Sequence, residues 1–257
     1  MGPAVSGRAE FENHLVLEDL LKQPALAKRG YKYVDMAGPD RRGIEGAFFY
    51  NPRLFKLESS MLVPFYDAPD GKIDSPLLGF YTDENGKVRA YNELKGDTTY
   101  MTRGFLVREG LLGGDKTFCI VNHGPSRAAG DEIRQRAGFQ LRQLTDALLK
   151  QEPEAKIIVM GDMNDDPGNK SMTEQLGCFA EQKEVKSAND FYNPWYNTLY
   201  KVGQGTLLYN GAWNLFDQIV MNGNLVGKDR STLKYYKHAI FIRHYMFSQD
   251  GRYRGNP

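Results

Sequence analysis

The sequence predicts an α/β sandwich built on antiparallel pairing, and three observations predict it. Apolar runs of strand length come in groups, helical patterns lie outside those groups, and glycine-rich punctuation joins neighbouring runs tightly. Tight hairpins require antiparallel neighbours, which argues against a single parallel sheet.

The elements follow in order. Leu15, Leu17, Leu20 and Leu21 lie at mixed helical spacing until Pro24 interrupts them, which predicts a short helix over Glu12 to Leu21. Three apolar runs follow, near Tyr31 to Val34, Gly43 to Tyr50 and Phe55 to Val63, separated by Gly38-Pro39-Asp40 and Asn51-Pro52, and read as consecutive strands. Asp67 to Asp97 is rich in Gly, Pro, Asp and Asn and reads as a long surface loop or a small lid.

Arg103 to Leu112 and Thr117 to Val121 flank Gly113-Gly114-Asp115, the signature of a tight hairpin whose second strand ends in Asn122-His123. Ile133, Ala137, Leu141, Leu144 and Leu148 recur at three- and four-residue spacing before Pro153, which predicts an amphipathic helix of about four turns packed on a sheet. Lys156 to Met160 is a continuous apolar run, expected of a strand buried on both faces. Leu215 to Met221 is a final strand candidate, and His238 to Phe247 is another apolar-aromatic stretch.

Composition narrows the function class. With 257 residues, 41% hydrophobic and 12% aromatic, the chain can build a sizeable core. Its apolar runs span a handful of residues, against about 20 for a membrane helix, so a soluble protein without a membrane span is expected. Two cysteines imply no disulfide framework and assign no compartment; Cys119, inside an apolar run, reads as a buried thiol. Net charge is +1, but residues 228–257 hold seven Lys/Arg against two Asp/Glu, leaving 26 of the 33 cations and 30 of the 32 anions elsewhere. A protein that tracks long duplex DNA usually shows a broad basic face, so this balance argues against one.

Two strand-end clusters carry the chemistry. Gly161-Asp162-Met163-Asn164-Asp165-Asp166-Pro167 leaves the buried strand, with Asp162 suited to take a proton from water or approach a metal and Asn164 able to meet a phosphate. The plainer reading is a turn that ends a strand. Asn122-His123-Gly124-Pro125-Ser126-Arg127 ends the other, and a histidine there can donate to a phosphate oxygen or protonate a leaving group. A turn-capping histidine is its ordinary alternative, but two such clusters in one chain favour a site.

In order and spacing, Asn-His-x-Pro-Ser-Arg, a helix, an apolar strand and Gly-Asp-x-Asn-Asp-x-Pro resemble the bacterial endonuclease/exonuclease/phosphatase proteins related to pancreatic deoxyribonuclease. The resemblance runs from Glu10 to Pro257 and implies one domain, a four-layer α/β/β/α sandwich of two mainly antiparallel sheets. It implies Glu10, in Ala9-Glu10-Phe11-Glu12-Asn13, as the ligand of Mg²⁺, with Mn²⁺ as the alternative; without it Glu10 is an exposed helix-start carboxylate. Pro39 to Glu45 resembles a stretch that usually ends in Asp, and Arg41 or Arg42 there would meet a substrate phosphate unless simply solvated. Arg103 matches an arginine at the scissile phosphate, and Asn122 joins it as a substrate-binding candidate. Asp217 matches an aspartate that orients the histidine represented by His123; a strand Asp is costly to bury unless paired.

The pattern departs from the family in three places. No family-type first strand carrying Asn precedes Ala9, and the chain stops at Arg252-Tyr253-Arg254-Gly255-Asn256-Pro257 without the terminal Ser-Asp-His, so the domain is expected to be truncated at both ends, with weak activity on its own. Gly124 stands where relatives commonly place Trp, which would widen the pocket wall or loosen its loop. The expected function is metal-assisted hydrolysis of a phosphorylated small molecule or nucleic acid by Asp162, His123, Asn164 and Asp217. The alternative is a silent relative that binds a phospholigand or a protein.

Overall fold

The computed structural model describes residues 2–35, 45–66, 80–82, 88–90, 100–251 and 254–255. A first group of strands, β1 (Val5–Phe11), β2 (Lys32–Asp35) and β3 (Glu45–Tyr50), forms a sheet in the order β1-β3-β2, with both pairings antiparallel. The main chain then lays down β4 (Phe55–Tyr66), β5 (Phe80–Thr82), β6 (Val88–Ala90), β7 (Tyr100–Leu112), β8 (Asp115–His123) and β9 (Lys156–Asp162). Short strands β10 (Cys178–Phe179) and β11 (Phe191–Tyr192), a hairpin of β12 (Leu207–Tyr209) and β13 (Ala212–Asn214), and β14 (Asp217–Asn222) complete the set. Among the described residues the larger sheet has the order β10-β11-β14-β9-β8-β7-β4-β5-β6.

Helix α1 (His14–Lys22), the single turn α2 (Pro24–Ala27) and α3 (Asp131–Gln151) frame the sheets. Side-chain alternation sorts them into four layers. Phe118 and Ile120 of β8, with Ile157 and Val159 of β9, pack against Leu141, Leu144 and Leu148 of α3. Their neighbours Cys119, Val121 and Met160 face the other way, onto Phe48 and Tyr50 of β3. The outer face of β3, Ala47 and Phe49, is covered by Leu17 of α1. The order is therefore α3, large sheet, small sheet, α1, the expected sandwich.

The β7–β8 hairpin turns on Gly113 and Gly114 at φ +62° and +95°, with Leu112 opposite Asp115, because a two-residue turn needs positive φ. The α3 helix is longer than expected, with 21 residues or about six turns, since it starts at Asp131, ahead of the apolar repeat, and runs past Leu148 through buried Leu149 to Gln151. A strand also begins ahead of Ala9, where no apolar run was read. Gly7 supplies no side chain, and its N–H donates to Sδ of Met160 at 3.0 Å, so close approach to the large sheet replaces apolar bulk. The last strand starts at Asp217 and not at Leu215.

Of the Asp67 to Asp97 segment, the described residues form β5 and β6, which extend the large sheet beyond β4. The stretch from His238 to Phe247 forms no strand, only a 3₁₀ turn at His244–Met246. It belongs to a strap tied to the hairpin by Asp115, which accepts from the Leu233 N–H at 2.5 Å and from the Thr232 hydroxyl at 2.8 Å. No helix among the described residues is long and apolar enough to cross a membrane.

Candidate active site

Parallel pairing of β8 with β9 sets His123 beside Asp162, and antiparallel pairing of β9 with β14 sets Asp162 beside Asp217. Residues at one register position share a face, so these side chains form a row at one end of the large sheet. His123 lies two residues beyond Val121, and Asp162 two beyond Met160, which puts both on the side that faces the small sheet.

Glu10 closes this row from the opposite sheet, and a β-bulge places it there. Arg8 pairs with Ala47 and Phe11 with Glu45, so Ala9 and Glu10 together oppose Gly46 alone. In an unbroken strand Glu10 would share the outward face of Arg8; the extra residue returns it inward. Its φ is +62°, a conformation that costs a glutamate about 1 kcal/mol. The result is a carboxylate with Oε1 3.7 Å from Nε2 of His123.

Oδ2 of Asp162 faces the same nitrogen from below at 3.9 Å. His123 is almost enclosed, with its side chain 10% exposed, Asp162 is intermediate at 25%, and Glu10 is open at 64%. Nη1 of Arg103 stands 3.2 Å from Nδ1 of His123. An arginine only donates, so Nδ1 is the acceptor and the ring proton sits on Nε2, toward the carboxylates.

Burial pushes the Asp162 carboxyl above its usual range, and the charges of Asp217 and Glu10 push the same way, against the Asn164 N–H and Arg103. Asp217 is raised by its surroundings and by Glu10, though its exposure to solvent tempers the effect. Three carboxylates crowd one cleft with incomplete compensation, an arrangement typical of functional sites.

The loop after β9 is built to hold these groups. Oδ1 of Asp162 accepts from the Asn164 N–H at 2.8 Å, and Asn164, at φ +53°, donates through Nδ2 to the Gly124 carbonyl at 3.0 Å. Gly124 itself donates to the Asp162 carbonyl at 2.8 Å. A Cβ on Gly124 would lie 2.6 Å from the Met163 carbonyl oxygen. Glycine is therefore required by the close approach of the two loops.

Sequence reasoning passed over the supports of this loop, although the quoted motifs contained several of them. Asp165 is fully buried, with Oδ1 accepting from Nε of Arg134 at 2.7 Å and Oδ2 from the Ser171 hydroxyl at 2.6 Å, which anchors the loop to α3. Asp166 accepts from the Leu215 N–H at 2.7 Å and ties the loop to the approach of β14. A second acid after Asp162 was the available signal, since a buried carboxylate needs partners.

The structure thus brings together Glu10, Arg103, His123, Asp162, Asn164 and Asp217. It does not bring Asn122 to them: that side chain is buried on the α3 side and its amide donates to Sδ of Met163 at 2.9 Å. Strand alternation forbids Asn122 and His123 from facing one cleft. Asp217, expected to orient His123, is separated from it by Asp162, and the group at Nδ1 is Arg103. Arg41 and Arg42 lie outside the described residues.

A sequence model described as the Endonuclease/Exonuclease/phosphatase family matches residues 1–75 and 61–257. No curated protein matches by sequence. Among solved structures, the human Nocturnin catalytic domain with bound sulfate anion is similar at a TM-score of 0.57 and 16% identity, over 86% of this chain and 69% of that one. Truncated TDP2 from Caenorhabditis elegans gives 0.54 and 16%, over 90% and 80%. The mannosyl-6-phosphatase of Bacteroides thetaiotaomicron gives 0.53 and 16%, over 85% and 71%. At these identities the likeness is one of fold.

Proposed function

Because the chain belongs to the endonuclease/exonuclease/phosphatase family, we propose that it hydrolyses a phosphate ester by cation-assisted attack of water on phosphorus. The observation that carries the reading is the approach of Glu10 and Asp162, from opposite sheets, to the same nitrogen of His123.

Among the described residues no three His, Cys, Asp or Glu side chains are grouped to enclose a metal. Mg²⁺ needs no such cage, because it keeps several waters and takes one or two carboxylates together with substrate phosphate. Open, oxygen-bearing Glu10 fits that use, with Mn²⁺ as an alternative ion. When bound, the cation polarises a phosphoryl oxygen and stabilises the leaving group.

The protein's own groups divide the remaining work. Asp162, made more basic by burial, takes a proton from the attacking water. His123 donates from Nε2 to a phosphoryl oxygen, with Arg103 fixing its tautomer and adding positive charge to the cleft. Asn164 braces the turn that carries both, and Asp217 adds to the negative field that a cation would relieve.

The substrate class is a phosphorylated small molecule or nucleic acid. Two neighbours bracket it: a mannosyl-6-phosphatase and a Danio rerio TDP2 complexed with single strand DNA product. A net charge of +1, with its basic excess confined to residues 228–257, favours a small ester over long duplex. Turnover of an activated phosphodiester should appear on adding Mg²⁺, vanish with a chelator and fall by about 10²–10³-fold in Asp162→Ala. Binding of a phospholigand without such turnover would replace this reading with that of a silent relative.

A further inference from the structure

Arg127 lies outside the row of His123, Asp162 and Asp217, yet it touches the loop after β9 and the approach to β14. Its Nη2 donates to Oδ2 of Asp166 at 3.1 Å and its Nε to the Asn164 carbonyl at 3.4 Å. Its guanidinium carbon stands 4.3 Å from the centroid of the Phe216 ring. Its own carbonyl accepts from Nη1 of Arg134 at 3.3 Å, which fastens it to α3.

These contacts tie together different pieces of the cleft. Asn164 follows the strand that bears Asp162, Phe216 immediately precedes Asp217, and Arg127 sits four residues after His123. The partners are also joined to one another: Leu215 donates to Asp166, and Met163 donates to the Phe216 carbonyl at 2.8 Å. We infer that Arg127 is a positioning residue, a three-way clamp that holds the loops after β8 and β9 and the approach to β14 at fixed spacing, and so sets the distance between His123, Asp162 and Asp217.

The chemistry demands an arginine. A planar guanidinium can donate along its edge to Asp166 and Asn164 while stacking its face on Phe216; a lysine ammonium is a point charge with no face to stack. Arg127 is half-exposed, with its side chain 44% accessible, so its ion pair with Asp166 is partly screened and contributes little by itself. Its effect is expected in geometry more than in stability.

The inference rests on the phosphoesterase reading, and the experiment separates the two. Wild type, Arg127→Ala, Arg127→Lys and Phe216→Leu are assayed for Mg²⁺-dependent phosphodiester turnover, and amide hydrogen exchange is followed at Met163, Asn164 and Leu215. A positioning role predicts that Arg127→Ala lowers kcat about tenfold or more with KM within about twofold, because small misplacements of catalytic groups are costly. Arg127→Lys should fail to rescue, Phe216→Leu should reproduce most of the loss, and combining Arg127→Ala with Phe216→Leu should add little to either. Exchange at the three amides should speed up in Arg127→Ala and in Phe216→Leu.

A raised KM with unchanged kcat would make Arg127 a substrate contact and overturn the clamp. Full rescue by lysine, or unchanged exchange, would also overturn it. If wild type shows no Mg²⁺-dependent turnover, the phosphoesterase reading fails, and the exchange data alone decide whether Arg127 holds these loops.

Discussion

Glu10 reaches within 3.7 Å of His123 only because two residues of β1 oppose the single Gly46 of β3, which turns a side chain from the outer face of the small sheet into the cleft. The local backbone is held in the left-handed region to achieve this. Strain of this kind persists where the surrounding structure enforces it, and here it points a carboxylate at an imidazole.

The first prediction separates that strain from its use. Glu10→Gly should leave the melting temperature unchanged or raise it slightly, since glycine accepts positive φ and relieves about 1 kcal/mol. Glu10→Gln should keep wild-type stability. Both should turn over more slowly than wild type at the Mg²⁺ concentration that half-saturates wild type. A clear drop in melting temperature for Glu10→Gly would show that the carboxylate supports the fold and would remove the argument for its functional placement.

How far the sequence revealed the site follows from the same geometry. His123 and Asp162 were legible because each ends a buried apolar strand, and parallel strands with matched register deliver their last residues to one place. The inward turn of Glu10 was not legible from periodicity, because a bulge is decided by pairing with a distant strand; only the family resemblance singled Glu10 out. Asn122 was within reach of pattern reasoning, as a residue adjacent to His123 on a strand must face the opposite side. An α/β sandwich was legible from grouped strands and its four layers from the family resemblance, while both ends of α3, at Asp131 and Gln151, lie beyond the apolar repeat from Ile133 to Leu148.

Gly124 supplies the second prediction. Gly124→Ala forces a Cβ to within 2.6 Å of a backbone carbonyl, so it should destabilise by about 1–3 kcal/mol and spread the loops that carry His123 and Asn164. Gly113→Ala is the control, since φ is positive there as well but no atom lies within 4 Å of the added carbon. Thermal melts with kcat should show both variants destabilised and only Gly124→Ala impaired in turnover beyond what its stability explains. Equal kcat in the two variants would mean that the close approach of the loops is irrelevant to the cleft.

The strap gives a pH-dependent prediction. His238 uses both ring nitrogens, Nδ1 with the Tyr235 hydroxyl at 2.6 Å and Nε2 with the Thr198 hydroxyl at 2.8 Å, and its ring meets Trp195 edge-on at 4.9 Å. Burial holds the imidazole below its ordinary value of 6.5. The folded state therefore binds the proton less readily than the unfolded chain, so this contribution to stability is complete above pH 6.5 and declines as pH falls below it. Limited proteolysis within residues 226–243 should accelerate from pH 8 to mildly acidic pH in wild type, and His238→Gln should flatten that dependence. An identical pH profile in the two proteins would show that the strap is held by other contacts.

Mg²⁺ titration of phosphodiester turnover in wild type, Glu10→Gln and Asp162→Ala addresses the assignment of cation and water to separate carboxylates. Wild type should saturate; Glu10→Gln should need at least about tenfold more Mg²⁺ for half-maximal rate, because a ligand has been weakened. Asp162→Ala should stay about 10²–10³-fold below wild type at every Mg²⁺ concentration, because its loss is in proton acceptance and not in metal binding. Half-saturation of Glu10→Gln at the wild-type Mg²⁺ concentration, or near-normal turnover by Asp162→Ala, would contradict the account.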